Sequence, residues 1–369
     1  MLKKLSVLLV AGALTACGTA TAAPQRIDAA TQRQDPVQQA LDALVRDDHF
    51  PGALAAVREP GGRTRDYTAG VGDLATGSRV PVNGQVRIAS NTKMFTSTVV
   101  LQLVGEGKVG LDDPVEKYLP GIVRGITVRQ LLQQTSGLPD YDDVLITDYF
   151  KVQHTFYEPR QLVDAALTKP PLFAPGEGWS YSNTNYILAG LIVQQVTGRP
   201  ISEEITGRII DRLELRETYW PEAQDIRRAH PHGYWPDAEG RPVDVTEMEP
   251  SMAWAAGQLI STPRDLNAFM TALLGGRLLK PAQLKAMKTL VAAPDFDTTG
   301  TARYGLGLAT FDLSCGGVAW NHGGNAPGYI TRNAITEDGR VATVVVTGPA
   351  MSLPAAEHIE KAVDTALCS

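Results

Sequence analysis

Ser90-Asn91-Thr92-Lys93 is the stretch on which the reading of this chain turns. It is an S-x-x-K pattern opening a helical run, in which Met94-Phe95, Val99-Val100 and Leu103-Val104 form one apolar face. Residues three apart share a helix face, so the Lys93 amine reaches the Ser90 hydroxyl. A serine at a helix N-terminus also sits where backbone N–H groups and the dipole favour negative charge. Alone the pattern is common, and a capping serine followed by an exposed lysine accounts for it better than chemistry does. Two groups downstream change the weighing. Tyr181-Ser182-Asn183 offers a phenol able to shuttle protons and a carboxamide able to hold a substrate amide and a lysine together. His322-Gly323-Gly324 follows the strand-like Val318-Ala319-Trp320-Asn321, and glycines there let a substrate backbone lie against a strand edge. Taken singly, these two groups read as a surface loop and a hairpin turn.

Outward from Ser90, the pattern is strands at both ends and helices between. An amphipathic helix spans 37–45. Strand-like runs follow at 53–58 and 63–71, separated by the hairpin signal Gly61-Gly62. Gly70-Val71-Gly72-Asp73-Leu74-Ala75 superficially matches a dinucleotide fingerprint, but no helical pattern follows, so it is a turn. Thr127-Val128-Arg129-Gln130 is a capping box. The run 186–196 is apolar nearly all round and predicts a buried helix. Thr262-Pro263-Arg264-Asp265 opens another helix with a cap, a first-turn proline and an acid. Strand patterns return at 304–310, 317–321, 329–335 and 341–346, the last two joined by the turn Glu337-Asp338-Gly339. A helix over 355–367 closes the chain. The simplest architecture is one antiparallel sheet built from both chain ends, flanked by helices, with an all-helical lobe inserted. The sheet lobe would hold 35–88 and 303–369, the helical lobe 89–302, and the site their boundary.

The first residues address the chain for export. Lys3 and Lys4 precede an uncharged, almost wholly apolar run over 5–16, shorter than the ~20 residues that span a bilayer. Residues 1–16 therefore read as a signal peptide and 17–34, small and polar, as a flexible tether. Leu14-Thr15-Ala16-Cys17 resembles a bacterial lipobox with Cys17 as the lipidated residue, and cleavage after Ala20-Thr21-Ala22 is the alternative. The expectation is a protein lipid-anchored to the outer face of the cell membrane, or secreted, with membrane contact only through Cys17. Of three cysteines, Cys315 and Cys368 remain, and in an oxidising compartment such a pair forms a disulfide more readily than a metal site, with two buried thiols as the alternative. A net charge of −6 without basic blocks argues against nucleic acid. H-E-x-x-H and G-x-S-x-G are both absent, which removes the zinc-peptidase and α/β-hydrolase readings.

In their order, S-x-x-K, Y-x-N and H-x-G resemble the three motifs of the class C β-lactamase and DD-peptidase superfamily of serine hydrolases. Arg87-Ile88-Ala89, Ile126 to Gln130, Ser136-Gly137-Leu138, Tyr304 to Leu308 and Asp312 to Gly316 extend the similarity to the exocellular D-alanyl-D-alanine carboxypeptidases of actinomycetes, over about residues 35 to 369. The resemblance implies a penicillin-binding/β-lactamase-like α/β (α+β) fold and a Cys315–Cys368 bridge. It implies that Ser90 attacks a carbonyl and forms an acyl-enzyme, with Lys93 and Tyr181 sharing the base and acid work. Asn183 would hold the acyl side chain's amide. His322 would bond near Tyr181 and the leaving group, and the backbone N–H groups of Ser90 and Asn325 would form the oxyanion hole. Trp254 would be an aromatic wall of the pocket. The substrate would be a small peptide or a β-lactam-like molecule, with no metal or organic cofactor.

Two departures concern the leaving group. The carboxypeptidase has a carboxylate-binding threonine where this chain has Gly323, and a carboxylate-binding arginine where it has Ala309. Each charge-assisted hydrogen bond contributes roughly 1.5–3 kcal/mol, so losing both weakens carboxylate recognition by orders of magnitude. Arg332 on the next strand is a candidate replacement, a solvated strand arginine the alternative. The expected activity is a D-alanyl-D-alanine carboxypeptidase-like peptidase acting on peptidoglycan or D-amino-acid peptides. A D-aminopeptidase or amidase, an esterase or a peptide cyclase is the second reading, and a penicillin-binding sensor without turnover the third.

Overall fold

The computed structural model describes residues 35–369. The segments expected to be a signal peptide and a tether, with Cys17, lie outside the described residues. Helix α1, Pro36–Arg46, starts where Asp35 accepts from the Val37 N–H and proline takes the first turn. Strands β1 (Gly52–Arg58) and β2 (Thr64–Gly70) form a hairpin, with Gly61 and Gly62 at φ 92° and 96° in its connection. The other strands of the main sheet are β3 (Val291–Ala292), β4 (Arg303–Tyr304), β5 (Ala309–Asp312), β6 (Val318–Ala326), β7 (Tyr329–Thr336) and β8 (Val341–Val346). Their order is β2-β1-β8-β7-β6-β5-β4-β3, antiparallel throughout. The two chain ends thus meet at the β1–β8 pair, where Ala53 faces Val346.

Side-chain alternation divides this pair between two cores. Ala53, Ala55 and Val57, with Ala342, Val344 and Val346, pack under α1 and the C-terminal helix α5, Leu353–Cys368. Leu54, Val341 and Val345 join the larger core on the other face. Burial on both faces explains why β1 and β8 read as unbroken apolar runs. The larger core is built on α2 (Thr92–Gly105), α3 (Thr184–Thr197) and α4 (Pro263–Leu274). Asn267 of α4 donates to Ala56 O and accepts from Thr343 Oγ1, tying the helix across two strands. Phe269 stacks on Phe95 of α2 with ring centroids 3.7 Å apart. The Thr127–Gln130 capping box and the Thr262 cap form as the sequence indicates.

Three expectations need correction. The run 304–310 is a hairpin of β4 and β5, closed by Gly305 N–H to Leu308 O with Gly307 at φ 79°; the reversal falls on the two glycines that alternate with its apolar residues. The strand expected to end at Asn321 continues to Ala326, because pairing with β7 outweighs the poor strand propensity of two glycines. The span 89–302 is not all helical. Val86–Arg87 pairs with Ile260–Ser261, Tyr234–Pro236 pairs with Pro242–Asp244, and β3 joins the main sheet. Cys315 and Cys368 are bridged, fastening the turn before β6 to the end of α5.

Candidate active site

Ser90 lies in a tight turn, Ala89–Asn91, that runs directly into α2. The approach is pinned by Ile88 N–H to Leu259 O and by the Asn91 side chain to Ile88 O. Ala89 adopts φ 46°, which costs an alanine roughly 1–2 kcal/mol. The Lys93 amine lies 3.0 Å from Ser90 Oγ, 2.6 Å from Asn183 Oδ1 and 2.8 Å from Ala256 O. The last two atoms only accept. A neutral Lys93 therefore spends both hydrogens on them and keeps its lone pair for the Ser90 hydroxyl. Burial pushes the Lys93 pKa down to about 7, with Asp140 and Asp142 opposing the fall.

Tyr181 shares a hydrogen bond with Ser90, and Lys93 Nζ is 4.9 Å from its ring centroid. Burial holds the phenol well above the ordinary tyrosine value, so it carries its proton at neutral pH. Asn183 opens α3. Its Oδ1 accepts from Lys93, and its Nδ2 donates to Asp140 at 3.0 Å and Asp142 at 2.9 Å. Both amide hydrogens are thus taken, which corrects the expectation that they hold a substrate amide. Asn183 instead links Lys93 to a half-buried acidic pair. Burial pushes both carboxyls upward, and Asp140 pushes Asp142 further. The pair was missed in the sequence, although Pro139-Asp140-Tyr141-Asp142, directly after Ser136-Gly137-Leu138, carries two acids two residues apart.

Strand β6 forms the opposite wall. It pairs with β5 only through Asn321, so over 322–326 only β7 is paired to it and the other edge is open. A Cβ at Gly324 would lie 2.2 Å from Ile88 O and 2.7 Å from Asn91 Nδ2. The glycine lets β6 press on the Ser90 turn. Gly324→Ala should therefore cost about 1–3 kcal/mol of stability and slow acylation of the protein by a fluorescent penicillin about 10²-fold. Denaturant unfolding and labelling rates check both.

His322 is buried. Its Nδ1 is 2.6 Å from Gly323 O, which only accepts, so Nδ1 carries the hydrogen and Nε2 accepts from Tyr304 OH at 2.9 Å. Burial and Lys93 lower its pKa to about 3, so it is neutral. The expected bond toward Tyr181 is replaced by ring packing, centroids 6.3 Å apart. Trp254 lines neither cavity beside Ser90. It packs on Gly190 of α3, where a Cβ would lie 2.7 Å from the indole. The aromatic wall is Phe296, 5.3 Å from the His322 ring, in a loop without a recognisable motif. Arg332 faces Gly323 across the ladder and lines the cleft, donating to Asn325 Oδ1 at 2.8 Å, with Glu360 3.9 Å from its Nε. Glycine at 323 is what admits it, since a Cβ would meet Nη1 at 3.1 Å. Ala309 is buried and offers no polar group.

Ser90, Asp142, Asn183 and Asn325 border two cavities. The larger, about 390 Å³, lies along β6 with Asp295, Phe296, Asp297, Arg332 and Glu360. The smaller, about 120 Å³, lies under Tyr141, Tyr149, Met248 and Met252. Among the described residues no group of His, Cys, Asp and Glu is arranged to hold a metal.

Comparison with known proteins agrees with this geometry. The beta-lactamase family model matches residues 37–362. Penicillin-binding protein 4* of Bacillus subtilis is 26% identical over 90% of this chain and 81% of its own length. Protein flp of Staphylococcus aureus is 32% identical over 49% of this chain, and the match spans only 38% of that protein. A Streptomyces D-stereospecific amidohydrolase superposes with TM-score 0.81 and 37% identity, covering 89% of this chain and 97% of that one. The D-amino acid amidase of Ochrobactrum anthropi, in complex with D-phenylalanine, gives 0.82 and 29%, covering 90% and 97%. This chain belongs to the beta-lactamase family and is a serine hydrolase of the β-lactamase and penicillin-binding type.

Proposed function

We propose that the protein is an amidohydrolase acting on amides or short peptides of D-amino acids with a free amino group, through an acyl-Ser90 intermediate. The observation that carries this reading is the acidic pair Asp140 and Asp142 beside Ser90, with Asp142 bordering both cavities. A carboxylate there receives a substrate ammonium through a charge-assisted hydrogen bond. Leaving-group recognition points the same way. Gly323 and Ala309 offer no carboxylate contact, and Asp295, Asp297 and Glu360 line the larger cavity. The similarity to the D-stereospecific amidohydrolase and the D-amino acid amidase supports the same substrate class.

In this mechanism neutral Lys93 takes the Ser90 proton as Oγ attacks the carbonyl. Backbone N–H groups of Ser90 and Asn325 hold the oxyanion. Protonated Tyr181 gives its proton to the departing amine and recovers one from Lys93. Water then hydrolyses the acyl-enzyme by the reverse transfers. The carboxypeptidase reading is favoured by one observation, Arg332 in the larger cavity. The Cys315–Cys368 bridge supports export.

The test compares D-phenylalaninamide, its N-acetyl derivative and D-alanyl-D-alanine. The free-amine amide should be the best substrate, and N-acetylation should lower kcat/KM about tenfold or more, the equivalent of one charge-assisted hydrogen bond. Preference for the free carboxylate of D-alanyl-D-alanine would refute the reading.

A further inference from the structure

The guanidinium of Arg332 is only half used. Its Nη1 donates to Asn325 Oδ1 at 2.8 Å, to Thr331 O at 3.2 Å and to Gly324 O at 3.4 Å. Among the described residues Nε and Nη2 reach no acceptor within hydrogen-bond distance, and neither is sealed from solvent. The carboxylate of Glu360 stops 3.9 Å from Nε, and its Oε2 is taken by the Thr298 hydroxyl. The Arg332 side chain is 20% exposed and lines the larger cavity, so this free edge is open to a ligand there. Its place matters as well. Arg332 stands opposite Gly323, and a Cβ at Gly323 would lie 3.1 Å from Nη1 and 3.2 Å from Cζ. The guanidinium therefore fills the space of a side chain at 323, the position from which the carboxypeptidases grip a leaving group. It does so beside the open edge of β6.

Two acceptors suit such an edge. One is the carboxylate that ends a free leaving amino acid. The other is the carbonyl oxygen of a leaving residue that carries a further amide. The charge of the cavity decides between them. Asp295, Asp297 and Glu360 line it, and Arg332 is the only arginine or lysine in its lining. Coulomb energy falls only as the inverse of distance, so three acids around a cleft offset one adjoining cation. A carboxylate would enter as a further anion. A neutral carbonyl receives a charge-assisted hydrogen bond from Arg332 without that repulsion. The ammonia released from a simple amide would use none of this wall, whereas a cavity of about 390 Å³ has room for a whole residue.

We propose that Arg332 selects the leaving residue: its free Nε–Nη2 edge holds the carbonyl oxygen of a residue that carries a further amide. The preferred substrate is then a D-aminoacyl peptide that is blocked or continues beyond that residue, ahead of a free dipeptide and of a simple amide. This rests on the amidohydrolase reading and deepens it, so the test reads binding apart from turnover. Ser90→Ala protein is titrated by calorimetry with D-phenylalanylglycinamide, D-phenylalanylglycine and D-phenylalaninamide. The glycinamide should bind about tenfold or more tighter than the free acid. Adding Arg332→Gln should cut its advantage over D-phenylalaninamide about tenfold, one charge-assisted hydrogen bond. Adding Glu360→Gln instead removes one anion and should narrow the gap between glycinamide and acid about three- to tenfold. Thermal melting identifies a variant that merely fails to fold, and the comparison of glycinamide with acid needs neither added substitution. Equal or tighter binding of the acid, or either ratio unmoved by its folded variant, overturns the inference. Turnover of the three compounds by the wild type is followed in parallel. The expected binding order without hydrolysis of any of them would instead sink the amidohydrolase reading and leave the inference about Arg332 standing.

Discussion

Ser90→Ala is expected to lower kcat/KM for D-phenylalaninamide by at least about 10⁴-fold, the scale seen when a covalent nucleophile is removed. The variant should keep its fold, because Ser90 contributes a hydroxyl to the cleft and no core packing. What it loses is the atom that Lys93 and Tyr181 converge on. The decisive measurement is the intact mass of acid-quenched protein after exposure to substrate or to a penicillin. Wild type should gain the acyl mass and Ser90→Ala should not. An adduct that persists in the variant would move the nucleophile elsewhere.

Lys93→Met should lower kcat/KM by about 10³-fold, within the range of a general base. Methionine matches the four-atom apolar stem of lysine, with sulfur in place of one methylene, and lacks the amine. The pH profile gives the more discriminating result. Burial brings Lys93 to about 7, so the neutral, proton-accepting form accumulates as pH rises through that value. Wild-type kcat/KM should rise with pH up to about 7 and fall again above about 8, where the substrate ammonium loses its proton, while Tyr181, held above the ordinary tyrosine range, stays protonated as the acid. In Lys93→Met the rise centred near 7 should vanish. A profile retaining that limb would assign it to the Asp140–Asp142 pair, whose carboxyls are also pushed upward.

The parts of the site readable in the sequence were those fixed by local spacing. Ser90 and Lys93 share one helical turn, so their contact follows from the helix alone. Thr127 and Thr262 announced their caps for the same reason. Asp140 precedes a one-turn helix, Asp142–Leu145, that Asp142 opens, and nothing in their spacing tells that α3 would bring Asn183 between them and Lys93. Trp254 shows the converse error. Its residue type fits a pocket wall, but Gly190 on α3 leaves a slot that draws the indole into the core. Glycine argues against strand over His322 and Gly324, whereas the β7 ladder holds it regardless. Arg332 became interpretable only through register, since its room comes from the missing side chain of Gly323 opposite.

The pairing of β1 with β8 also ties the completion of the cleft to a contact between distant parts of the chain. Ala53 must wait for Val346, nearly the whole length of the described chain, before the centre of the sheet closes. Contacts so distant in sequence form late, after the loop-closure entropy of the intervening chain has been met. The wall bearing His322 to Asn325 hangs on that late-arriving half, while Ser90 belongs to the segment between. A nascent or truncated chain therefore carries the serine and its lysine without the strand that completes the cleft. Both halves of the cleft thus depend on one pairing between segments far apart in sequence.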